Sequence, residues 1–470
     1  MRNDKIVDER GGFLNILASL CERYVPDALT TSIILMIVLA VISFTLDLFN
    51  GYNSHIALMN ILNAYYDGFW ALLSFSMQMT LVLVLSLTLA ETPFFKKGVI
   101  WLSHIPRNSW QVVLLAASLT GLLSYLNWGL SLALSPIIAI HFCKQAENKG
   151  IKIDFLWMMS ILAGAGSIWQ FGLSASGPLL MAEKGHFLVA EGIPPWPLTT
   201  TIFTPAAFTM IGLFAVATIL TGILFMPKKV RPISTFSEAN RLAEAAISAE
   251  IKATKMQEDN YSFAKRIETG WITLIPLQLG LATWLYVHFI VRNQSLGLNS
   301  LLTIYLLACF FFHRTVHRFT TALQEVLVAS WPIIILYHLY AGVAGLIQNT
   351  SVGTFIASCI EPLATPYTFP FLIVIISTIV AIFLPSSGTQ WIIQGLITIK
   401  IAESAGLSGQ HGLLALSVGD HMGNLLTPFW AVVGAGIARI EFREFFGYRL
   451  IFAALWFSIG VLIFTFVPVR

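Results

Sequence analysis

The stretch FLPSSGTQW, residues 383–391, interrupts a part of the sequence that is otherwise apolar. FPFLIVIISTIVAI precedes it and IIQGLITI follows it, so polar and helix-breaking residues stand inside a run apolar enough for a membrane. Backbone that is not helical is tolerated at membrane depth only where protein or a water-filled cavity satisfies its N–H and C=O groups. The sequence therefore predicts a break in a helix inside the membrane.

The composition is that of a polytopic membrane protein. The 470 residues are 56% hydrophobic and 11% charged, and the mean hydropathy is +0.77, whereas a soluble domain has about 25% charged residues. The four cysteines form no CxxC motif, so we interpret them as packing residues and not as a disulfide or metal site. Residues 1–27 lack a signal-peptide pattern and are expected to form a cytoplasmic N-terminal segment.

Apolar runs of about 20 residues predict transmembrane helices. Nine full spans are expected, at residues 28–48, 68–90, 155–180, 203–226, 270–292, 298–313, 324–348, 411–436 and 449–468. Two further apolar stretches, 111–143 and 367–404, are broken midway, by LNWGLS at 126–131 and by LPSSGTQ at 384–390. Because each half is marginal for a full crossing, we expect each stretch to form a re-entrant hairpin.

The Lys and Arg residues predict the orientation. With a cytoplasmic N-terminus, only four of the 27 lie on the outer side, and cytoplasmic segments are known to be rich in these residues. The predicted units are a first repeat at 28–226, a cytoplasmic linker with a helix at 227–268, a connecting helix at 269–297 and a second repeat at 298–470.

The two broken stretches correspond at a fixed distance. Moving the second half back by 259 residues places Ser386 on Asn127 and Gly388 on Gly129. The odd number of spans between the units would invert the second one. Inverted repeats with interrupted helices are a recurrent plan of secondary transporters, whose substrate and ion sites lie near the membrane midplane. We therefore expect an all-α fold with two hairpins in inverted repeats.

The two tips are the candidate binding elements. Helix N-terminal amides suit a carboxylate, and C-terminal carbonyls suit a cation. The candidate residues are Asn127, Gly129, Ser131, Ser386, Ser387, Gly388, Thr389 and Gln390. Close packing of helices through small residues is the structural alternative.

The spans 155–180 and 411–436 contain similar breaks, GLSASGP at 172–178 and GNLLTP at 423–428. Proline removes a backbone hydrogen bond and loosens the preceding turn. We expect both spans to unwind beside the tips, which adds Ser174, Ser176, Gly423, Asn424 and Thr427 to the candidate site. The oxygens of Asn127, Ser386, Ser387 and Asn424 are the candidate ligands for Na⁺.

Ionisable groups inside a membrane are functional candidates by default. Asp420 is a candidate proton carrier or Na⁺ ligand, and His421 is a candidate to pair with it or to steady an anionic substrate. If the span begins nearer the membrane centre, both are surface residues instead. No Arg or Lys is expected to be buried near the breaks, which favours a substrate with one carboxylate on a short carbon chain.

Several stretches resemble the bacterial short-chain fatty acid transporter family. They are DGFWALLSFSMQM (67–79), LNWGLSLAL (126–134), PSSGTQWIIQG (385–395) and GDHMGNLLTPFWAV (419–432), and the likeness is collinear from about residue 20 to 465. The resemblance implies transport of short monocarboxylates such as butyrate or acetoacetate, a relation to the wider ion transporter superfamily, and a homodimer. This chain departs from the family in having Ser387 and Thr389 in the second tip, Asp420-His421 in the late span, and Gln170 where glycine is more usual.

The sequence thus predicts a secondary transporter of the bacterial inner membrane, coupled to H⁺ or Na⁺ and without another cofactor. Its expected partners are a small organic anion, the lipid bilayer and a second copy of the chain, and no nucleic acid. A dicarboxylate or amino-acid carrier of the same superfamily is the alternative. A channel would need a continuous polar stripe along several spans, and an enzyme would need more than Asp420 and His421, so neither is expected.

Overall fold

Helices are the only regular secondary structure in the part of the chain that the structure describes. This computed structural model describes residues 28–252, 262–327, 330–384 and 386–469. Three predicted features lie outside the described residues: the N-terminal segment 1–27, residues 253–261 of the linker, and Pro385 of the second tip.

The first half contains nine α-helices. They are α1 Ala28–Phe49, α2 Ser54–Ala71, α3 Leu73–Ala90, α4 Pro93–Ser103, α5 Ser109–Leu126, α6 Trp128–Asn148, α7 Phe155–Ala165, α8 Ser176–Ala182 and α9 Pro205–Leu224. Polar side chains that accept from free amides define several of these helix starts, as expected for N-caps. Asn53 accepts from Ile56 N at 2.8 Å, and Asp154 accepts from Trp157 N at 2.8 Å.

The linker and the connecting helix follow. α10 Ser237–Lys252 and α11 Phe263–Thr269 lie in the predicted linker, and α12 Ile275–Tyr286 ends in a π-helical turn at Val287–Val291.

The second half contains the remaining helices. They are α13 Leu298–His313, α14 Val316–Leu327, α15 Trp331–Asn349, α16 Ser351–Ile360, α17 Phe369–Phe383, α18 Ser387–Ser404, α19 Gly409–Leu426, α20 Pro428–Ala438 and α21 Arg443–Phe466.

Seven helices of the described residues are long and apolar enough to cross a membrane, or up to eight if the bent pair α15–α16 is one span. The interrupted span Phe155–Ala182 is 78% buried, whereas the span Ile272–Val291 is only 6% buried. Apolar side chains on the outside of a protein of this composition face lipid. The interrupted span is therefore central and the connecting helix is peripheral.

Both predicted breaks fall where the helices end. Asn127 separates α5 from α6, and residues 384–386 separate α17 from α18. The predicted unwinding is also present, because α7 continues as a 3₁₀ helix from Gly166 to Phe171 before α8, and Thr427 separates α19 from α20. That the broken pairs are re-entrant, and that nine spans cross the membrane, stay predictions.

Three predicted boundaries are wrong, and one of them is the start of the last span, which lies at Arg443 and not at residue 449. The span expected at 68–90 is preceded by α2, which begins at Ser54, because polar residues such as Asn60 and Asn63 lower its hydropathy. The span expected at 324–348 begins only at Trp331. Its first predicted residues belong to the amphipathic helix α14, whose periodic apolar residues resemble the start of a span.

The order of elements in the two halves is alike. The sequence α3, α4, α5/α6, α7/α8, α9 has its counterpart in α15, α16, α17/α18, α19/α20, α21. The interrupted helix α19 packs along α17, α18 and α21, and α7 packs along α5, α6 and α21. The two interrupted helices therefore lie in the interior, beside the broken pairs.

Candidate functional site

The first tip is held by hydrogen bonds of Asn127 and of two serines from neighbouring elements. Asn127 is extended, and its Oδ1 accepts from Gly129 N at 2.7 Å, Leu130 N at 3.1 Å and Ser86 Oγ at 2.8 Å. The Oγ of Ser174 accepts from Trp128 N at 2.9 Å. The first amides of α6 are thus paired within the protein, so the main role of Asn127 and Ser174 in this conformation is to cap α6.

The second tip is buried and polar, and its side chains form hydrogen bonds. Ser386 is extended, and its hydroxyl lies 3.0 Å from that of Thr389. The Nε2 of Gln390 donates to Ser377 O at 2.8 Å and so joins α18 to α17. The remaining serine of the tip, Ser387, contacts the first half of the chain.

Gln170 makes that contact and connects the two halves. Its Nε2 lies 2.9 Å from Ser387 Oγ, 2.8 Å from Asp420 Oδ2 and 3.0 Å from Ser417 O, so its two N–H groups are shared among three acceptors. Asn424 Nδ2 lies 3.3 Å from the same Asp420 oxygen. We call Gln170, Ser387, Asp420 and Asn424 the carboxylate cluster.

Asp420 is fully buried in this cluster, at 0% exposure, so the alternative that it is a surface residue is wrong. Its Oδ1 and the Oε1 of Gln170 have no hydrogen-bond partner among the described residues. A buried carboxylate with an unpaired oxygen is costly unless a proton or cation binds it. The cluster therefore has the chemistry of a proton or cation site.

Gln170 was not predicted as a site residue. The sequence offered two signals: a long amide side chain within the apolar run that precedes the break at 172–178, and its position where glycine is more usual in the family that the chain resembles. Its partner Asp420 lies 250 residues further along the chain, a contact that only the fold creates.

His421 points away from Asp420. No hydrogen bond joins the two side chains, as expected because neighbouring residues of a helix project in different directions. The His421 ring instead packs 5.7 Å from Trp169 and 5.0 Å from Trp456, measured between ring centroids. The prediction that His421 pairs with Asp420 is wrong in this conformation.

Two cavities lie beside the breaks. The first, the Arg449 cavity, has a volume of ≈ 120 Å³ and is lined by residues that include Ser131, Met159, His421 and Arg449. The second, the Tyr337 cavity, has a volume of ≈ 70 Å³ and is lined by residues that include Ser176, Tyr337, Ser386 and Ser387.

The two cavities share a wall. Trp128, Trp169, Asn424 and Trp430 line both of them. The Trp430 indole donates to Asn424 Oδ1 at 3.1 Å, and the Trp128 ring lies 6.3 Å from Trp169 and 6.2 Å from Trp430 between centroids. Since two wall residues come from each half of the chain, a relative movement of the halves would change both cavities.

Arg449 contradicts the expectation that no Arg or Lys is buried near the breaks. It is only 5% exposed, and its guanidinium donates to Asn424 O at 3.0 Å and Thr427 O at 3.3 Å. Arg449 is the first residue of the last predicted span, 449–468, where a cytoplasmic position is expected. The helix begins earlier, at Arg443, and therefore carries Arg449 nearly two turns inward.

The other predicted residues contact neighbouring helices. A Cβ at Gly129 would lie 2.5 Å from Ser86 Cβ, and one at Gly388 would lie 2.5 Å from Phe75 Cζ, so both glycines permit close approach of a tip to α3. Gly423 packs against Thr378 and Ala381 of α17 in the same way. The structure thus groups Ser387, Asp420 and Asn424, but it places Asn127 in a separate hydrogen-bonded group.

Replacing Gln170 tests whether the cluster matters for transport. Gln170→Leu removes the amide that donates to Asp420 and connects it with Ser387 and Ser417. A hydrogen bond to a charged group contributes about 1.5–3 kcal/mol, so we expect the initial rate of substrate uptake to fall at least about tenfold. The control is Gln278→Leu on the peripheral helix α12. An uptake rate of Gln170→Leu equal to that of the control would contradict the prediction.

Sequence comparison places the chain among transporters. The family model described as short chain fatty acid transporter matches residues 13–466. A protein of Haemophilus influenzae with the provisional name short-chain fatty acid transporter is 24% identical over 455 residues, which cover 95% of this chain and 98% of the relative. A protein of Escherichia coli with the same provisional name is 24% identical over 461 residues, which cover 97% and 100%.

Two solved structures share the fold. MtrF of Neisseria gonorrhoeae, described as illuminating a class of antimetabolite efflux pumps, aligns with a TM-score of 0.59 at 14% identity and covers 97% of this chain and 98% of its own. The YdaH transporter of Alcanivorax borkumensis, described as having an unusual topology, aligns with the same score and identity and covers 94% and 98%. At this identity the likeness concerns the fold alone.

The apolar helices, the two broken helix pairs and a family match over nearly the whole length agree with one another. The chain is a multi-pass membrane transporter and not an enzyme. It belongs to the short-chain fatty acid transporter family.

Proposed function

We propose that the protein is a secondary active transporter of short-chain monocarboxylates such as butyrate or acetoacetate, coupled to H⁺ or Na⁺. The observation that carries the proposal is the pair of cavities beside the breaks, with a shared wall from both halves of the chain. Such a wall suits alternating access, in which one movement closes a central site to one side and opens it to the other.

The carboxylate cluster is the proposed coupling site. Asp420 is buried with an unpaired oxygen, and the Ser387 hydroxyl and the unpaired Oε1 of Gln170 belong to the same cluster. Oxygen ligands suit a hard cation such as Na⁺, and a buried carboxylate also suits a proton. Ser386 and the capping residue Asn127 are secondary candidates for the ion.

The proposed setting is the bacterial inner membrane, with a cytoplasmic N-terminus and the chain as a homodimer. The support is the distribution of Lys and Arg for the orientation and the family resemblance for the dimer. The two halves are proposed to be inverted repeats, which their common order of elements supports.

Reconstituted protein tests the function directly. Proteoliposomes receive radiolabelled butyrate with a pH gradient, a Na⁺ gradient, both or neither. We expect butyrate to accumulate above equilibrium with one gradient and not in its absence, because a coupled carrier uses the ion gradient to do work on the substrate. Protein-free liposomes are the control for passive entry of the protonated acid.

The outcome also separates the alternatives. If no monocarboxylate accumulates under any gradient, the proposal is wrong. Accumulation of a dicarboxylate or amino acid in its place would identify the other substrate class.

A further inference from the structure

Arg449 is a cation in the interior of a membrane protein. It is 5% exposed, and no salt bridge joins it to a carboxylate in the ranges that the structure describes. A buried charge without a counter-charge is costly, and charged side chains inside a membrane domain usually face the protein interior or a cavity and have a functional partner. Arg449 therefore has the properties of a site that an anion completes.

Two hydrogen bonds hold the Arg449 guanidinium in place, and other N–H groups of the guanidinium remain without a partner in the described part of the chain. Two of its N–H groups donate to the carbonyls of Asn424 and Thr427, at the end of α19. A guanidinium has five N–H donors in a fixed, planar arrangement, and its Nε has no partner among the described residues. The carbonyls orient the group, which leaves donors for a further acceptor.

The lining of the cavity combines Arg449 with apolar groups. It also includes His421, neither of whose ring nitrogens has a hydrogen-bond partner among the described residues. Most of the other lining residues are apolar or aromatic, such as Met159, Leu162 and Trp169. A cation together with an apolar lining matches a carboxylate that carries a short hydrocarbon chain.

The volume of the cavity limits the chain length. The cavity measures ≈ 120 Å³, and one water occupies about 30 Å³ in the liquid. The space is thus of the order of a few water molecules, a size that suits an acid of a few carbon atoms.

We propose that the Arg449 cavity is the substrate subsite, in which the Arg449 guanidinium binds the substrate carboxylate and the apolar lining holds its hydrocarbon chain. His421 is the second polar group at the carboxylate end. This inference rests on the proposed function, because it names the residues that would recognise a monocarboxylate. It assigns substrate and coupling ion to different places, since Asp420 lies outside the lining of this cavity.

The alternative role of Arg449 is purely structural, as a cap on the last carbonyls of α19. The test must therefore measure recognition as well as stability. Purified protein is melted with increasing butyrate, or with butyramide, which has the same chain without the charge. A ligand that binds the folded state raises the melting temperature, so wild-type protein should respond to butyrate at far lower concentration than to butyramide.

Arg449→Gln should weaken butyrate binding and raise the KM for butyrate uptake about ten- to hundredfold, as expected for the loss of a charge-assisted hydrogen bond. It should also abolish the preference for butyrate over butyramide, which a structural cap would not affect. Arg449→Lys keeps the charge but not the planar pair of donors, and should give an intermediate KM. Arg318→Gln, at an exposed arginine of α14, is the matched control.

A cavity-filling variant gives a test that leaves Arg449 intact. Ala163 lines the cavity, and Ala163→Leu reduces its volume. We expect inhibition of butyrate uptake by hexanoate to be lost while inhibition by acetate remains. The ratio of the inhibition constants of hexanoate and acetate shows whether the cavity holds the hydrocarbon chain of the substrate. This test works even if Arg449→Gln does not fold.

Each outcome bears on one proposal. If wild-type protein binds butyrate and Arg449→Gln binds it equally well with the same selectivity, the inference is wrong. It is also wrong if Ala163→Leu leaves the chain-length preference unchanged, or if wild-type protein binds no monocarboxylate. If wild-type protein binds butyrate selectively through Arg449 but never accumulates it under a gradient, the subsite stands and the proposed transport function fails.

Discussion

Asp420→Asn should abolish the accumulation of butyrate against a gradient and leave the exchange of internal for external butyrate intact. The Asp420 carboxylate is fully buried, accepts from Gln170 at 2.8 Å and has one unpaired oxygen. Asparagine has nearly the same shape and retains one acceptor, but it neither titrates nor supplies a negative charge to a cation. The variant should therefore fold and cycle with substrate while losing its link to the ion gradient.

The measurement is uptake of labelled butyrate into proteoliposomes, with and without the coupling gradient, together with counterflow at equal ion concentrations. We expect the ratio of internal to external butyrate to fall to about one. The neutral asparagine does not bind the coupling ion, so the ion gradient no longer drives butyrate uptake. Counterflow should retain a rate of the same order as that of wild-type protein.

Asp47→Asn is the matched control. Asp47 is also a buried carboxylate, at 2% exposure, but it accepts from Ser351 Oγ at 2.6 Å, outside the carboxylate cluster. Its replacement should leave accumulation intact. If Asp420→Asn accumulates butyrate as wild-type protein does, Asp420 has no coupling role.

Gly345→Val should destabilise the fold more than any substitution in the site. Gly345 lies where α15 crosses α2, and a Cβ at this position would lie 2.1 Å from Ala64 O and 2.9 Å from Gly68 Cα. The obstacle is backbone, which cannot rotate away as a side chain can. Small residues allow this approach, as is common between membrane helices.

The valine side chain would force the two helices apart. Overpacking typically lowers the free energy of unfolding by about 1–3 kcal/mol, occasionally more. A clash with backbone is expected at the upper end of this range, because backbone atoms cannot move aside. We expect a large fall in melting temperature or loss of monodisperse protein in detergent. The control is Gly280→Val in α12, where an added Cβ has no neighbour within 4 Å. Equal melting temperatures for the two variants would contradict the close crossing of α2 and α15.

The positions of the two helix breaks could be predicted from the sequence. Ser386 and Gly388 beside a proline, and Asn127 before Trp128-Gly129, were read as breaks, and helices end at both places. Local chemistry suffices here, because proline and the capping residues act on the backbone next to them. The same chemistry could have shown that Asn127 caps α6, since asparagine is a preferred N-cap and its side-chain oxygen accepts from the amides two and three residues later.

Contacts between residues that are distant in the chain could not be predicted from the sequence. The contact of Gln170 with Asp420 joins residues 250 apart, and neither residue has a neighbour in sequence that indicates the other. Hydropathy predicts that the last span begins at Arg449, because a charged residue beside an apolar run is taken as the end of the membrane segment. Arg449 is therefore expected at the cytoplasmic surface. Whether such a residue lies in water or beside a cavity depends on which helices surround it.

By itself the sequence determined that the protein is an all-α membrane protein with broken helices, because composition, apolar length and helix-breaking residues act locally, and its resemblance to a transporter family indicated the function. Only the tertiary structure decided that Gln170 contacts Asp420, that His421 and Arg449 line the Arg449 cavity while Asp420 does not, and that Arg449 is buried. The physical reason is that a charged group is defined by what surrounds it, and these surroundings come from helices that are distant in the chain.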